Sequence, residues 1–106
     1  MYSFVETKLF TQLVKRYLSD DEYRQVQLRI MENPNIGAVV AGSGGVRKLR
    51  WRAAGRGKRA GYRVIYFVHR PLEVIWMLTI YPKNVHDSIP AHVLKAIRQE
   101  IKNAEE

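Results

Sequence analysis

Two runs of β-branched and aromatic residues, Tyr62 to His69 and Val74 to Tyr81, are separated only by Arg70-Pro71-Leu72-Glu73. Neither run alternates cleanly between apolar and polar residues, so both read as central strands covered on two faces. A connection this short closes an antiparallel pair, because parallel neighbours need a crossover of a dozen or more residues. The chain is therefore expected to build around this hairpin, with its other elements providing the cover.

Those elements are legible on either side. Tyr2 to Val5 reads as a short edge strand. Leu9, Phe10, Leu13, Val14, Tyr17 and Leu18 recur at helical spacing, opposite Lys8, Gln12, Lys15 and Arg16. Ser19-Asp20-Asp21-Glu22 is a capping-box pattern whose acids also suit the positive end of a helix dipole. The helix it opens buries Tyr23, Val26, Ile30 and Met31, and stops by Asn33 because Pro34 disfavours helical geometry before it. Ala38 to Ala41 is a short strand, Gly42 to Gly45 a turn, and Val46 to Arg52 an alternating strand. Ala53 to Ala60 is a Gly-rich basic loop. A last helix begins near Ser88, with Pro90 in its first turn and an apolar stripe of Ile89, Val93, Ile97 and Ile101. The order β-α-α-β-β-β-β-α predicts an α+β domain over residues 1–106. Its N-terminal strand and helical hairpin pack on a twisted antiparallel sheet, with a C-terminal helix.

Charge singles out one part of this arrangement. The chain carries a net charge of +8, yet no acidic residue lies between Glu32 and Glu73. That stretch holds Arg47, Lys48, Arg50, Arg52, Arg56, Lys58, Arg59, Arg63 and Arg70, half of the chain's 18 basic residues. Lys48, Arg50 and Arg52 share one strand face by period two, while Leu49 and Trp51 take the other. Such a local excess is the footprint of a polyanion site, where cations displace condensed counterions. A solvated basic face is the bland alternative, but solubility does not require acids to be excluded from one stretch.

Individual residues sharpen that reading. Arg63 opens a strand whose next residues are core-like, and a charge in that company has a task or a partner. The hairpin brings residues 80–81 beside it, and Lys83 near the same cleft. Tyr81 offers either a ring for base stacking and a hydroxyl, or a core aromatic. His69, His86 and His92 match no metal template and read as solvated or structural, with His86 the one to test as a proton donor. The absence of cysteine excludes disulfides, thiolate metal sites and a cysteine nucleophile. Met1 to Glu6 shows neither a basic start nor a long apolar run, so a cytoplasmic address is expected. No metal or other cofactor is expected.

Three stretches carry a family resemblance: Gly44-Gly45-Val46-Arg47-Lys48-Leu49-Arg50, Gly57-Lys58-Arg59-Ala60-Gly61-Tyr62-Arg63-Val64-Ile65-Tyr66, and Leu78-Thr79-Ile80-Tyr81-Pro82-Lys83-Asn84. In this order, before a final helix, they resemble the RelE/HigB superfamily of type II toxin–antitoxin systems, and the HigB-like branch in particular. The resemblance implies a metal-independent endoribonuclease that cuts mRNA in the ribosomal decoding site. It also implies a cognate antitoxin, of the HigA-like helix-turn-helix kind. By position, Lys48 and Arg50 match basic strand positions, Arg63 the arginine after Gly-Tyr, Lys83 the basic residue ending the next strand, and Lys58 and Arg59 a basic loop of the HigB-like branch. Lys48, Lys58, Arg63 and Lys83 are accordingly expected to be catalytic, and Arg47, Arg50, Arg52, Arg56, Arg59 and Tyr81 to bind RNA. The additional C-terminal tyrosine of RelE and the histidines of some HigB sites have no clear counterpart, which leaves the general acid and base unassigned.

The chemistry can also be built without the family. RNA carries its own nucleophile, the 2′-hydroxyl beside the scissile phosphate. A lysine serves as base when neighbouring arginines disfavour its ammonium form, and both Lys58 and Lys48 have such neighbours. Arg63 suits the charge that develops on the phosphorane. Two other readings compete: a non-catalytic RNA- or ribosome-binding module, and a relative whose catalysis has decayed.

Overall fold

The computed structural model describes residues 1–52, 61–83 and 89–105. The order of elements is β1 (Ser3–Glu6), α1 (Lys8–Tyr17), α2 (Asp20–Glu32), β2 (Ala38–Val39), β3 (Arg47–Arg52), β4 (Gly61–His69), β5 (Val74–Pro82) and α3 (Ala91–Glu105). The expected succession holds, and β4 and β5 are central in a five-stranded sheet ordered β1-β5-β4-β3-β2. The sheet is mixed rather than antiparallel: β2 to β5 run antiparallel through short connections, but β1 lies parallel to β5. Tight turns force reversal only where they occur. Most of the chain separates β1 from β5, so nothing local dictates its direction.

Local signals place the helices. Thr7 caps α1 by accepting from the Phe10 amide, and its hydroxyl donates to the Leu78 carbonyl, tying the helix start to β5. Ser19 and Glu22 form the expected capping box at α2, and Asn33 ends that helix before Pro34. The stripe of α3 departs from expectation. Leu94 and Ile101 are buried, with Ile89 and Ile97 packed beside them, whereas Val93 is exposed. The helix turns the 94-97-101 row inward, the same 3.6-residue period shifted by one position.

Each face of the central hairpin has its own apolar layer. On one side Leu49, Trp51, Val64, Tyr66, Val68, Ile75, Met77 and Ile80 meet Phe10, Val14 and Leu18 and, from α2, Val26 and Ile30. On the other, Val46, Ile65, Phe67 and Leu78 meet Leu94 and Ile101 of α3. Between β4 and β5 the register slips: Ile65 pairs with Thr79 and Tyr66 with Met77, so Leu78 is an extra residue. Beyond this bulge the alternation of β5 is reset, with Ile80 on the α1–α2 side and Tyr81 on the α3 side.

Tyr66 fastens the loop after α2 to the sheet. Its ring is fully buried, while its hydroxyl donates to the Pro34 carbonyl and accepts from the Gly37 amide. A side chain at Gly37 would have its Cβ 2.8 Å from the Tyr66 ring, so only glycine permits this approach. Burial raises the Tyr66 phenol above its ordinary 10.0, against opposing effects of the Gly37 bond and the charges of Arg47 and Arg70. Burial and Glu6, which accepts the Tyr23 hydroxyl proton at 2.6 Å, raise the Tyr23 phenol as well.

Two expectations follow. Tyr66→Phe leaves the buried Gly37 amide without its acceptor and should lower the free energy of unfolding by about 1–3 kcal/mol in urea titrations. Because the fold holds both phenols protonated, the unfolded chain releases these protons first as pH rises. Their stabilising contribution is therefore complete below pH about 10 and lost progressively above it. Urea midpoints measured across that range should fall on the alkaline side, and less steeply for Tyr66→Phe.

Candidate nucleic-acid interface

The end of the sheet that α3 leaves uncovered is where the cations gather. Strand register makes two cross-strand rows there, Arg50–Arg63–Tyr81 and Arg52–Gly61–Lys83; the Lys83 amide donates to the Gly61 carbonyl at 2.7 Å. All of these residues take the α3 side by alternation with Leu49, Trp51, Tyr62 and Val64. A cleft of about 300 Å³ opens between them, lined by Arg50, Trp51, Arg52, Gly61, Arg63 and Lys83. The bare face of Gly61 admits the Lys83 stem: a Cβ placed there would lie 3.4 Å from Lys83 Cδ.

The hydrogen-bond phase of the ladder brings the cations closer. The Val40 amide donates to the Val46 carbonyl, and Ala38 pairs with Lys48, so the backbone groups of Lys48 point toward β2. Those of Leu49 and Trp51 then point toward β4. Arg50 and Arg63 are thus a non-hydrogen-bonded antiparallel pair, the kind in which opposed side chains approach most closely. Like charges directly opposite each other destabilise a sheet by up to about 1 kcal/mol. Among the described residues no carboxylate forms an ion pair with Arg50, Arg52, Arg63 or Lys83; the salt bridge found there joins the Met1 amino group to Glu73. An anion in the cleft would relieve this repulsion.

Tyr81 is half-buried, with its ring against the α3-side apolar layer and its register position beside Arg63. Burial raises its phenol pKa, opposed by the Arg63 charge, so the hydroxyl stays protonated at neutral pH and available as a donor. Its ring serves the core, and it is not among the residues that line the cleft.

The other expected site residues are placed as follows. Lys48 shares the cleft face but stands one row further along, opposite Ile65, and does not line the cleft. Arg47 takes the opposite face, where its Nη1 donates to the carbonyls of Asn35 and Gly37. Arg56, Lys58, Arg59 and His86 lie outside the described residues. His92 is exposed on α3, and the ring of His69 stacks on Phe67 with centroids 6.5 Å apart. No cluster among the described residues offers three His, Cys, Asp or Glu side chains to a metal.

Two cleft residues were not anticipated. Gly61 follows from the register once β3 and β4 are paired, so hairpin counting alone would have found it. Trp51 was expected on the face opposite the cations, and its ring is there, buried beneath the guanidinium of Arg29 at 5.4 Å. It borders the cleft as well, its carbonyl 3.9 Å from where a Gly61 Cβ would stand. Strand alternation carries no signal for that, because it reports side chains and not backbone.

Solved structures share this architecture. A double arginine-to-alanine mutant of the Escherichia coli toxin RelE in the free state superposes with a TM-score of 0.63 at 17% identity, over 92% of this chain and 96% of that one. A chain of the intact E. coli RelBE toxin–antitoxin complex gives 0.58 at 16% identity, over 79% of this chain and 99% of that one. No family model matches the sequence. The fold is therefore RelE-like.

Removing one of the opposed arginines should separate stability from binding. Arg63→Ala relieves repulsion and should leave the urea midpoint unchanged or higher. At the same time, the salt dependence of binding to a short single-stranded RNA should flatten by about 0.7 in slope of log K against log salt. Fluorescence anisotropy across a potassium chloride series measures the slope.

Proposed function

We propose that this chain is a ribosome-dependent endoribonuclease toxin of the HigB-like branch of type II systems. It acts on mRNA in the decoding site, in the cytoplasm, and a cognate HigA-like antitoxin neutralises it. The observation that carries this reading is the cleft of Arg50, Arg52, Arg63 and Lys83 at the open end of a RelE-like sheet, without a carboxylate paired to any of them among the described residues. Support comes from the similarity in fold to the toxin RelE and to a chain of the RelBE complex. No helix among the described residues is long and apolar enough to cross a membrane.

In this reading the substrate's 2′-oxygen attacks the adjacent phosphorus and the 5′-oxygen departs, leaving a 2′,3′-cyclic phosphate. Arg63 and Arg50 face the phosphate and hold the charge that builds on its equatorial oxygens. Lys83 lies across Gly61 at the mouth of the cleft and shares that charge, and Arg52 follows the backbone on the β3 side. Tyr81 stays a neutral phenol and donates a hydrogen bond beside Arg63. Lys58 and Lys48 are the two lysines considered as base; Lys58 lies outside the described residues, and Lys48 joins the row as a more distant cation. No metal takes part in the steps. The decoding site supplies the alignment of 2′-oxygen, phosphorus and leaving oxygen, a contribution that in oriented systems reaches ~10⁵–10⁸ M in effective concentration.

One observation favours a second reading, a basic module that binds RNA or the ribosome without cutting. None of the six cleft-lining residues is a histidine or a carboxylate, so the described lining contains neither of the commonest general bases.

Primer extension on one mRNA, with and without translating ribosomes, decides between them. Cuts that need translation and fall in codon register are expected from the wild type. Arg63→Ala and Lys83→Ala should each slow cleavage by about 10²-fold or more while remaining folded. Absence of cuts with RNA or ribosome binding intact would leave the binding module.

A further inference from the structure

The turn that joins β2 to β3 is held from within. Ser43 is fully buried; its hydroxyl donates to the Val40 carbonyl at 2.6 Å and accepts from the Val46 amide at 3.0 Å. The next two residues are exposed, and among the described residues no hydrogen bond takes up the amide of Gly44 or Gly45. Gly44 has a φ of +79° and Gly45 of +103°, whereas Ser43 before them has a negative φ. A negative φ followed by a positive one turns successive N–H groups toward a common point, the backbone arrangement that receives anions.

A cation is fixed against the same turn. The Arg98 guanidinium of α3 lies over Gly44: a Cβ there would stand 2.6 Å from Nε and 3.1 Å from Nη2. Glycine is required at this position twice, by the positive φ and by the close approach. The ring of Phe67 supports the guanidinium carbon at 5.7 Å. Nε is buried without an acceptor, and Nη2 donates to Gln99 Oε1 at 3.3 Å. Among the described residues no carboxylate forms an ion pair with Arg98. An anion at the remaining open edge of a half-buried guanidinium compensates its lost hydration. Lys95 and Lys102, at i−3 and i+4 from Arg98, are exposed on the same flank of α3.

We infer that the Gly44–Gly45 turn and Arg98 form a second phosphate site, for a phosphodiester of the same single strand whose scissile phosphate lies in the cleft. The groups gathered there are N–H donors, two of them backbone and the rest cationic, so they select an oxyanion. Position selects its source. Lys48 follows the turn on β3 and takes the α3 side, as Arg50 and Arg52 do, so one line of donors runs from the turn to the cleft. Five residues separate Gly45 from Arg50, about 17 Å of extended chain. A single strand crosses that span in a few nucleotides. Because the donors of the turn are exposed, a free phosphate is held weakly there, whereas one tethered to an occupied cleft gains from its effective concentration. The inference rests on the reading of the cleft as an RNA site.

The test uses the full chain and 2′-O-methyl oligouridylates, which lack the attacking hydroxyl and stay uncut. An octanucleotide should shift the backbone amide resonances of Gly44 and Gly45 and the Arg98 Nε–H, together with signals of Arg63. A dinucleotide should shift Arg63 and leave the two glycines in place. Arg98→Gln should weaken the octanucleotide about tenfold and flatten its slope of log K against log salt by about 0.7, with dinucleotide affinity unchanged. Lys95→Gln combined with Lys102→Gln replaces exposed residues only, so its flatter slope would not come from a loosened α3. Glycine amides that the octanucleotide leaves unmoved, or a wild-type slope in both variants, would overturn the second site. Inorganic phosphate that shifts the glycines with the octanucleotide's dissociation constant would assign the turn to free phosphate. A hexaglutamate peptide that does so would assign it to carboxylates, and either result overturns the RNA assignment. Dinucleotide binding at Arg63 and cleavage of mRNA that survive these outcomes would leave the proposed function standing. Glycine shifts in a chain that cuts no mRNA would remove the nuclease and keep the site, so the two readings fail separately.

Discussion

The register between β4 and β5 is the constraint on which the rest of the molecule depends. Both strands are covered on both faces, so every side chain belongs to one layer or the other, and a slip of one residue would exchange them all. The extra residue at Leu78 makes a local exchange of this kind. Without it, Ile80 would fall beside Arg63 and Tyr81 would be driven under α1. With it, the α1–α2 layer keeps an isoleucine, and Tyr81 takes the α3 side in register with Arg63. One inserted position therefore sets which layer each of the last residues of β5 joins.

Stability and charge are segregated along the same strands. From Val64 to Val68, β4 is buried without interruption, while its first residues, Gly61 to Arg63, are half-exposed. The α3 helix covers Ile65, Phe67 and Leu78 and stops short of the Arg50–Arg63 row. Opposing two arginines there costs about 1 kcal/mol at most, whereas each fully buried apolar side chain of the hairpin contributes about 1.5–3 kcal/mol. The apolar end can hold the repulsive end in place without an internal carboxylate to neutralise it. An internal carboxylate would stabilise the free protein and compete with any phosphate for the same guanidinium groups.

Much of this was legible in the sequence because it is local. The turn at Arg70–Glu73 gave the hairpin, period two in Val46–Arg52 gave the cationic face, and Ser19 with Glu22 gave the start of α2. The features that escaped are those which sequence spacing does not encode. The direction of β1 depends on a partner about 70 residues away. The bulge resets a parity that no single residue announces. The α3 stripe settles on Leu94 instead of Val93 because adjacent apolar residues leave the helix free to rotate by one position, and the sheet it meets decides. Arg47 sat in a basic run, yet alternation sends it to the other face, where bare loop carbonyls take its donors.

A strand residue offers its backbone in the sheet plane and its side chain perpendicular to it, so Arg50 and Arg52 each address two directions at once. Among the described residues β2 pairs only with Arg47 and Lys48, because the chain leaves the sheet plane at Gly37, and that departure requires both the missing Cβ of Gly37 and the buried hydroxyl of Tyr66. Arg50 and Arg52 therefore line the cleft with their side chains from a strand that β4 alone holds in place at their level.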